Sequence, residues 1–243
     1  MAFHAPHPRD RLILGLDLPS VEEATRAVAE TRGAVGVYKI GYRLVFAGGL
    51  SLVERLVGEG EKVFLDVKLL DIDNTVAEGI ESILALGVDW VTLHAYPKAM
   101  RAAVAARDAA VNERTKLLGV TVLTSMDDAD LKAAGYALRL PDLVEARARD
   151  AVAAGMDGIV CSAAEAARLR AAVGPGLTLV TPGVRPAGAA SGDQKRVSTP
   201  AAAIHAGADL LVVARPILSA PNRRAAADAI VAEIAEACEI RRH

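Results

Sequence analysis

The stretch "VFLDVKLLDIDNTVAEGIESILALGVDWVTLHA", residues 63–95, holds a complete strand–helix–strand unit. Residues 63–69 and 90–95 are short runs rich in apolar and β-branched side chains, which favour strands. Between them, residues 75–87 form a run typical of a helix, ending at Gly87, a common helix stop. Two short strands joined by a helix predict parallel strands of one sheet.

The same unit recurs along the chain. Strands are predicted in eight runs, at residues 12–17, 35–40, 63–69, 90–95, 116–123, 158–163, 177–183 and 209–216. The junctions "ALGVDW" and "AxxAGAD" repeat one helix-to-strand pattern. Eight strands, each followed by a helix, predict an α/β fold, the (β/α)8 TIM barrel, as a single domain at 11–243 after a short polar tail at 1–10. A doubly wound open sheet is the alternative, but no GxGxxG follows the first strand.

Composition excludes several classes of function. Hydrophobic residues make up 52% of the chain and charged residues 24%, and the formal net charge is −2, which is typical of a soluble globular protein. No basic run or aromatic platform indicates nucleic-acid binding. The N-terminal "MAFHAPHPRDR" is polar, and no window reaches the roughly 18 uninterrupted apolar residues of a membrane span. The cysteines, Cys161 and Cys238, lack a metal or redox spacing. We expect a cytoplasmic protein that binds neither nucleic acid nor membrane.

Polar side chains gather at the carboxyl ends of the predicted strands, where barrel enzymes carry their active sites. In chain order these ends present Asp17, Lys39, Asp66, Lys68, His94, Thr124, Ser125, Ser162, the "TPGVR" of 181–185 and Arg215. The starts of the strands are mostly apolar by comparison. The sequence therefore predicts the functional site at this end.

The third strand carries charges that need an explanation. Because alternate residues of a strand share a face, Phe64, Asp66 and Lys68 are predicted to point into the barrel mouth. Lys68 is then a protonated amine beside a carboxylate. Only seven of the 28 basic residues are lysines, which hints that Lys39 and Lys68 serve where arginine, unable to release a proton, would not. A structural ion network closing the barrel mouth is the alternative.

The stretch "FLDVKLLDIDNTV" resembles the Asp-x-Lys-x-x-Asp signature of the orotidine 5'-phosphate decarboxylase family. The resemblance extends, in order, through "LDLPS", "YKIG", "VTLHA", "TVLTSM", "TPGVR", "DQKRV" and "VVARPI". The signature alone also occurs in a related group of sugar-phosphate decarboxylases, whereas the full ordered set is specific.

The resemblance implies loss of carbon dioxide from orotidine 5'-monophosphate to give uridine 5'-monophosphate in pyrimidine biosynthesis, with no metal or other cofactor. Lys68 would stabilise the carbanion at pyrimidine C6 and protonate it, and Asp66 would lie beside the departing carboxylate. Asp71 would come from the opposite subunit of a homodimer, completing an alternating network with Lys39.

The resemblance also implies the substrate contacts. The backbone at Ile72 and the side chain of Thr75 would reach the partner's nucleotide. The remaining positions are Asp17 and Lys39 for the ribose, Thr124 and Ser125 for the base, and Arg185, Gln194, Ala214 and Arg215 for the phosphate side. The small, Gly-rich segment "RPAGAASGDQ", residues 185–194, is predicted to be a closing lid.

Three positions depart from the family pattern. Leu70 and Asp73 stand where the family usually has His and Pro, and Ala214 replaces a Gly before the phosphate arginine. None removes a charge from the predicted network. Two rival functions stay open on the sequence: a metal-dependent sugar-phosphate decarboxylase or aldolase on the same barrel, and a non-catalytic nucleotide-binding barrel.

Overall fold

A computed structural model describes residues 5–186 and 198–240. Eight parallel strands close into a barrel in the order β1 to β8, which confirms the predicted single-domain TIM barrel. They are β1 Leu12–Gly15, β2 Val37–Gly41, β3 Val63–Leu69, β4 Trp90–His94, β5 Lys116–Val120, β6 Gly158–Val160, β7 Thr178–Thr181 and β8 Leu210–Val213. Several strands end before their predicted limits, because the chain leaves the sheet to line the barrel mouth.

Helices connect the strands on the outside of the barrel. They are α1 Val21–Thr31, α2 Tyr42–Leu44, α3 Leu50–Gly58, α4 Asp73–Ala85, α5 Pro97–Ala109, α6 Asp128–Ala133, α7 Leu140–Ala154, α8 Ala163–Val173, α9 Pro200–His205, α10 Arg215–Leu218 and α11 Arg223–Ile240. A 3-10 turn at Pro8–Arg11 precedes β1, and a π turn at Val45–Gly49 joins α2 to α3. No helix in the described parts of the chain has the length and apolarity to cross a bilayer.

Strand alternation divides the core into two regions. Phe64 packs inside the barrel, in a cluster that draws a residue from most of the strands. Its other fully buried members include Ile13, Val37, Leu118, Val180 and Leu210. Leu65 faces outward and packs in the larger layer between barrel and helices, as predicted.

Three aspartates at the amino-terminal end of the barrel repeat one arrangement. Each lies at the junction between a helix and the strand that follows it. Its carboxylate accepts a 2.9 Å hydrogen bond from the main chain of the preceding strand, which is β3, β5 or β7, at the first or second residue of that strand. They are Asp89, Asp157 and Asp209, which bond to Val63, Leu117 and Leu179 respectively. Each also forms an ion pair with an arginine, in the same order Arg114, Arg107 and Arg170. At the amino-terminal end of the barrel, these junctions therefore bind the starts of β3, β5 and β7 to the segments that follow them.

Candidate active site

A cavity of about 550 Å³ opens at the carboxyl ends of the strands. Eight of the predicted site residues line it: Asp17, Lys39, Asp66, Lys68, Thr124, Arg185, Ala214 and Arg215. They come from distant parts of the chain and meet because parallel strands of a barrel end at the same rim.

Four of these residues form a continuous chain of opposite charges. Lys39 Nζ lies 3.2 Å from Asp17 Oδ1 and 3.2 Å from Asp66 Oδ2. Lys68 Nζ lies 2.8 Å from the other oxygen of the same carboxylate, Asp66 Oδ1. Asp66 therefore has one ammonium group on each oxygen, and its side chain is only 13% exposed.

Asp66 and Lys39, the two most buried members of this charge network, are held in their charged forms. Burial alone would raise the pKa of the Asp66 carboxyl, but the charges of Lys39 and Lys68 and the hydrogen bonds that it accepts hold the pKa below its usual range. Burial alone would lower the pKa of Lys39, yet the carboxylates of Asp66 and Asp17 outweigh it and raise the pKa. The site thus keeps one buried lysine and one buried carboxylate ionised next to an open cavity.

Strand β3 is irregular where it carries these charges. Leu65 pairs with Val91 and Leu69 with Leu93, so β3 advances four residues where β4 advances two. Lys68 has a φ of 46°, in the left-handed region that a residue with a side chain rarely adopts. Simple strand alternation predicted that Lys68 faces the cavity, and it does, but through a bulge rather than a regular strand.

Two side chains hold the peptide group before Lys68, and sequence reasoning missed both. Thr92 Oγ1 accepts a 3.0 Å hydrogen bond from Lys68 N and donates one of 2.9 Å to Asp66 Oδ1. The Tyr42 hydroxyl donates to the carbonyl of Val67, the other end of that peptide group. Because both ends are fixed, the left-handed backbone at Lys68 is maintained. The "YKIGY" and "VTLHA" runs contain these residues but give no local sign of the contacts.

Three arginines also line the cavity. Arg185 and Arg215 both line it, and burial followed by the nearby charge of Arg215 lowers the pKa of Arg185. Arg43 also lines the cavity and donates a 3.1 Å hydrogen bond to the main-chain oxygen of Asp17. Ala214 lies next to Arg215 at the mouth, and Gln194 lies outside the described residues. The arginines can accept an anion in the cavity that also holds the Asp66–Lys68 pair.

The structure does not bring four predicted residues into this cavity. Asp71 and Ile72 line a separate surface depression, Thr75 is exposed on the first turn of α4, and Ser125 is exposed beyond β5. Asp71 Oδ1 accepts a hydrogen bond from the Ile72 main chain at 2.7 Å. Within one chain, none of these four residues lines the cavity.

No group of three or more His, Cys, Asp or Glu side chains within residues 5–186 and 198–240 is arranged to hold a metal ion.

Comparison with known proteins identifies the family. The model of the orotidine 5'-phosphate decarboxylase / HUMPS family matches residues 10–230. An orotidine 5'-phosphate decarboxylase of Rhodopseudomonas palustris (strain HaA2) is 60% identical over 237 residues, covering 98% of this chain and 100% of that protein. One from Methylobacterium sp. (strain 4-46) is 60% identical over 230 residues, covering 95% of this chain and 98% of the relative. The crystal structure of orotidine 5'-phosphate decarboxylase from Lactobacillus acidophilus superposes with a TM-score of 0.82 at 32% identity, covering 92% of this chain and 98% of that one. This chain therefore belongs to the orotidine 5'-phosphate decarboxylase / HUMPS family.

Proposed function

We propose that this chain converts orotidine 5'-monophosphate to uridine 5'-monophosphate and carbon dioxide without a cofactor, with Lys68 as the proton donor. Membership of the family and 60% identity to named decarboxylases support the reaction. The observation that carries the proposal is the Lys68 ammonium, held 2.8 Å from Asp66 in a cavity that Arg215 also lines.

The reaction needs a positive group that is already in place. When the bond between C6 and the carboxylate breaks, its electron pair stays on C6, where the pyrimidine has no good electron sink. An ammonium fixed beside C6 stabilises that charge without reorganisation. The Lys68 proton then forms the new C6–H bond, and the neutral amine regains a proton from solvent. Asp66 orients Lys68 and lies beside the departing carboxylate.

The remaining cavity residues fit the rest of the nucleotide. Asp17 and Lys39 are suited to the ribose hydroxyls, and Thr124 to the base. Ser125 follows Thr124 in the chain but does not line the cavity, so its contact with the base is proposed from the family resemblance. Arg215 and Arg185 can bind the phosphate with parallel N–H bonds, joined by Gln194. Phosphate binding at the ends of the seventh and eighth strands is usual in this fold.

Asp71, Ile72 and Thr75 serve a second subunit in this proposal. They lie on a surface that also exposes apolar side chains, with Ile72 71% and Leu70 49% exposed. A contiguous apolar surface next to charged site residues is typical of a subunit interface. We infer a homodimer in which Asp71 of each chain completes the charge network of the other.

Free thiols at Cys161 and Cys238 agree with a reducing, cytoplasmic setting.

Mixing purified protein with orotidine monophosphate in EDTA, while following the ultraviolet absorbance of the pyrimidine, tests the reaction. The proposal expects full turnover without added metal. Activity that EDTA abolishes and magnesium restores would support the metal-dependent sugar-phosphate rival. Binding of uridine monophosphate with no consumption of orotidine monophosphate would support a non-catalytic barrel.

Mixed dimers test the shared site. Lys68→Ala and Asp71→Ala chains, each inactive alone, should regain about a quarter of wild-type activity after exchange at equal amounts, because half the dimers then hold one intact site. If Asp71 acted within its own chain, mixing would restore nothing. A single-chain mass in solution would contradict the dimer.

A further inference from the structure

Arg147 on α7 is a buried charge outside the proposed catalytic machinery. It is 9% exposed, and within the described part of the chain it forms no ion pair with a carboxylate. A buried guanidinium is costly unless other groups replace its water. Its compensation here comes entirely from main-chain and aromatic groups of the loops at the carboxyl end of the barrel.

Three loops converge on this one side chain. The guanidinium donates to the carbonyl of Thr121, which follows β5, and at 3.0 Å to the hydroxyl of Tyr136, which follows α6. Its central carbon lies 4.8 Å from the ring centre of Tyr96, which follows β4, and 5.2 Å from that of Tyr136. The two tyrosine hydroxyls meet at 2.5 Å, which closes the cluster. A cation that lies over the faces of two aromatic rings is attracted by both.

The same loops carry parts of the functional surface. Thr121 lies three residues before Thr124, which lines the cavity together with Val122 and Leu123. Tyr96 lines the surface depression that contains Asp71 and Ile72. Arg147 is therefore the connection between the cavity wall on the β5 side and the surface on which Asp71 lies.

We propose that Arg147 is a positioning residue for the pyrimidine. Through its contacts with Thr121, Tyr96 and Tyr136, it holds the β5–α6 segment in place. The inference rests on the proposed function, because it assigns the base to the Thr124 side of the cavity. Arg147 itself touches no substrate. Lys68 and Asp66 lie on β3, and no hydrogen bond or ion pair joins either of them to Arg147 within residues 5–186 and 198–240. Its loss should therefore affect binding of the base more than the chemical step.

A matched pair of variants tests this role. Arg147→Met removes the charge and keeps the length of the side chain. Arg170→Met is the control, because Arg170 is also largely buried and also bonds to main-chain carbonyls, but at the opposite end of the barrel. Both variants should lower thermal stability, so stability alone does not distinguish them.

Two ligands separate positioning of the base from general damage. In Arg147→Met, the KM for orotidine monophosphate and the Kd for uridine monophosphate should rise about tenfold, with kcat within about threefold of wild type. The Kd for ribose 5-phosphate, which has no base, should stay unchanged. Arg170→Met should change none of these constants. Wild-type affinity for uridine monophosphate in Arg147→Met, or equal weakening of both ligands, would overturn the inference.

If Arg147→Met fails to fold, Tyr136→Phe takes its place, because it removes only the hydroxyl bonds to Arg147 and Tyr96. A two- to fivefold rise in the Kd for uridine monophosphate is then expected, roughly the effect of one such bond. An unchanged Kd would overturn the inference. If the wild-type protein leaves orotidine monophosphate unconsumed, the proposed function is overturned instead. The Kd for uridine monophosphate, compared with that for ribose 5-phosphate, would still test the role of Arg147.

Discussion

The two ends of the barrel surround their aspartates with different partners. At the amino-terminal end, Asp89, Asp157 and Asp209 have side chains that are 18%, 24% and 15% exposed, and each accepts a main-chain N–H and pairs with an arginine. At the carboxyl end, Asp66 is 13% exposed, accepts a threonine hydroxyl and pairs with two lysines. Burial is therefore similar, and the partners differ.

The difference reflects what each cation can do. Arginine stays protonated and its planar fork suits fixed ion pairs, so Arg107, Arg114 and Arg170 are suited to holding strands together. Lysine can release a proton, so Lys68 is suited to a reaction that consumes one. One end of the barrel is built to keep its charges unchanged, and the other to use them.

Lys68→Ala should have the largest effect. Loss of both the charge beside C6 and the proton donor should reduce kcat by at least about 10⁴-fold, combining the typical contributions of electrostatic stabilisation and general acid catalysis. The chain should still fold, as circular dichroism would report. Lys116→Ala, which removes a lysine 3.8 Å from Asp157 at the opposite end, is the control and should keep full activity. Substantial turnover by Lys68→Ala would contradict its assigned role.

Arg215→Ala should weaken substrate binding. Removing charge-assisted bonds to a phosphate costs about 3 kcal/mol, which corresponds to roughly a hundredfold rise in KM. Arg114→Ala, at the opposite end of the barrel, should leave KM unchanged. As a second substrate, orotidine lacks the phosphate. The assignment of Arg215 to the phosphate fails if Arg215→Ala raises KM for orotidine by the same factor as KM for orotidine monophosphate.

Asp209→Ala should affect stability and leave catalysis alone. It leaves Leu179 N and Arg170 without their carboxylate partner, which costs about 2–3 kcal/mol and lowers Tm by roughly 5–10 °C. The kcat and KM measured below the transition should equal those of wild type. A large change in kcat with unchanged Tm in Asp209→Ala would contradict the assignment of stability to the amino-terminal end and catalysis to the carboxyl end.

Thr92→Val tests the missed hydroxyl at the reactive end. It keeps the shape of the side chain but removes the bonds to Lys68 N and Asp66, so we expect kcat to fall about tenfold with little change in KM. Thr92→Ser restores the hydroxyl and should recover most of the activity. If Thr92→Val and Thr92→Ser have the same kcat, the hydroxyl of Thr92 does not contribute to catalysis.

The pH dependence of stability gives the smallest effect. The folded pKa of Asp66 is depressed, so its ionisation contributes stability that is fully present above the unfolded value of about 3.9 and is lost as the pH falls through the folded pKa. The difference in unfolding free energy between wild type and Asp66→Asn should therefore be constant above about pH 5 and shrink below about pH 4. Urea titrations between pH 3 and pH 7 measure it. A difference that stays level to pH 3 would contradict the depressed pKa.

The sequence alone determined the barrel and most of its cavity wall. The eight short runs and the repeated junctions predict the strands, because hydrophobic periodicity and helix stops are local properties of the chain. Asp17, Lys39, Asp66, Lys68 and Arg215 were predictable because parallel strands bring their carboxyl ends to one rim. The family resemblance added the roles that periodicity could not supply.

Only the tertiary structure decided how the charges are held. The bonds of Lys68 N to Thr92 and of Thr92 to Asp66 join residues 24 and 26 positions apart, so no local pattern announces them. The left-handed backbone at Lys68 depends on those bonds and on Tyr42. The Arg147 cluster joins three loops in the same way, and the outward position of Asp71 depends on the path of the chain after β3. These features arise because hydrogen bonds and packing connect segments that are distant in sequence, and they exist only once the barrel has closed.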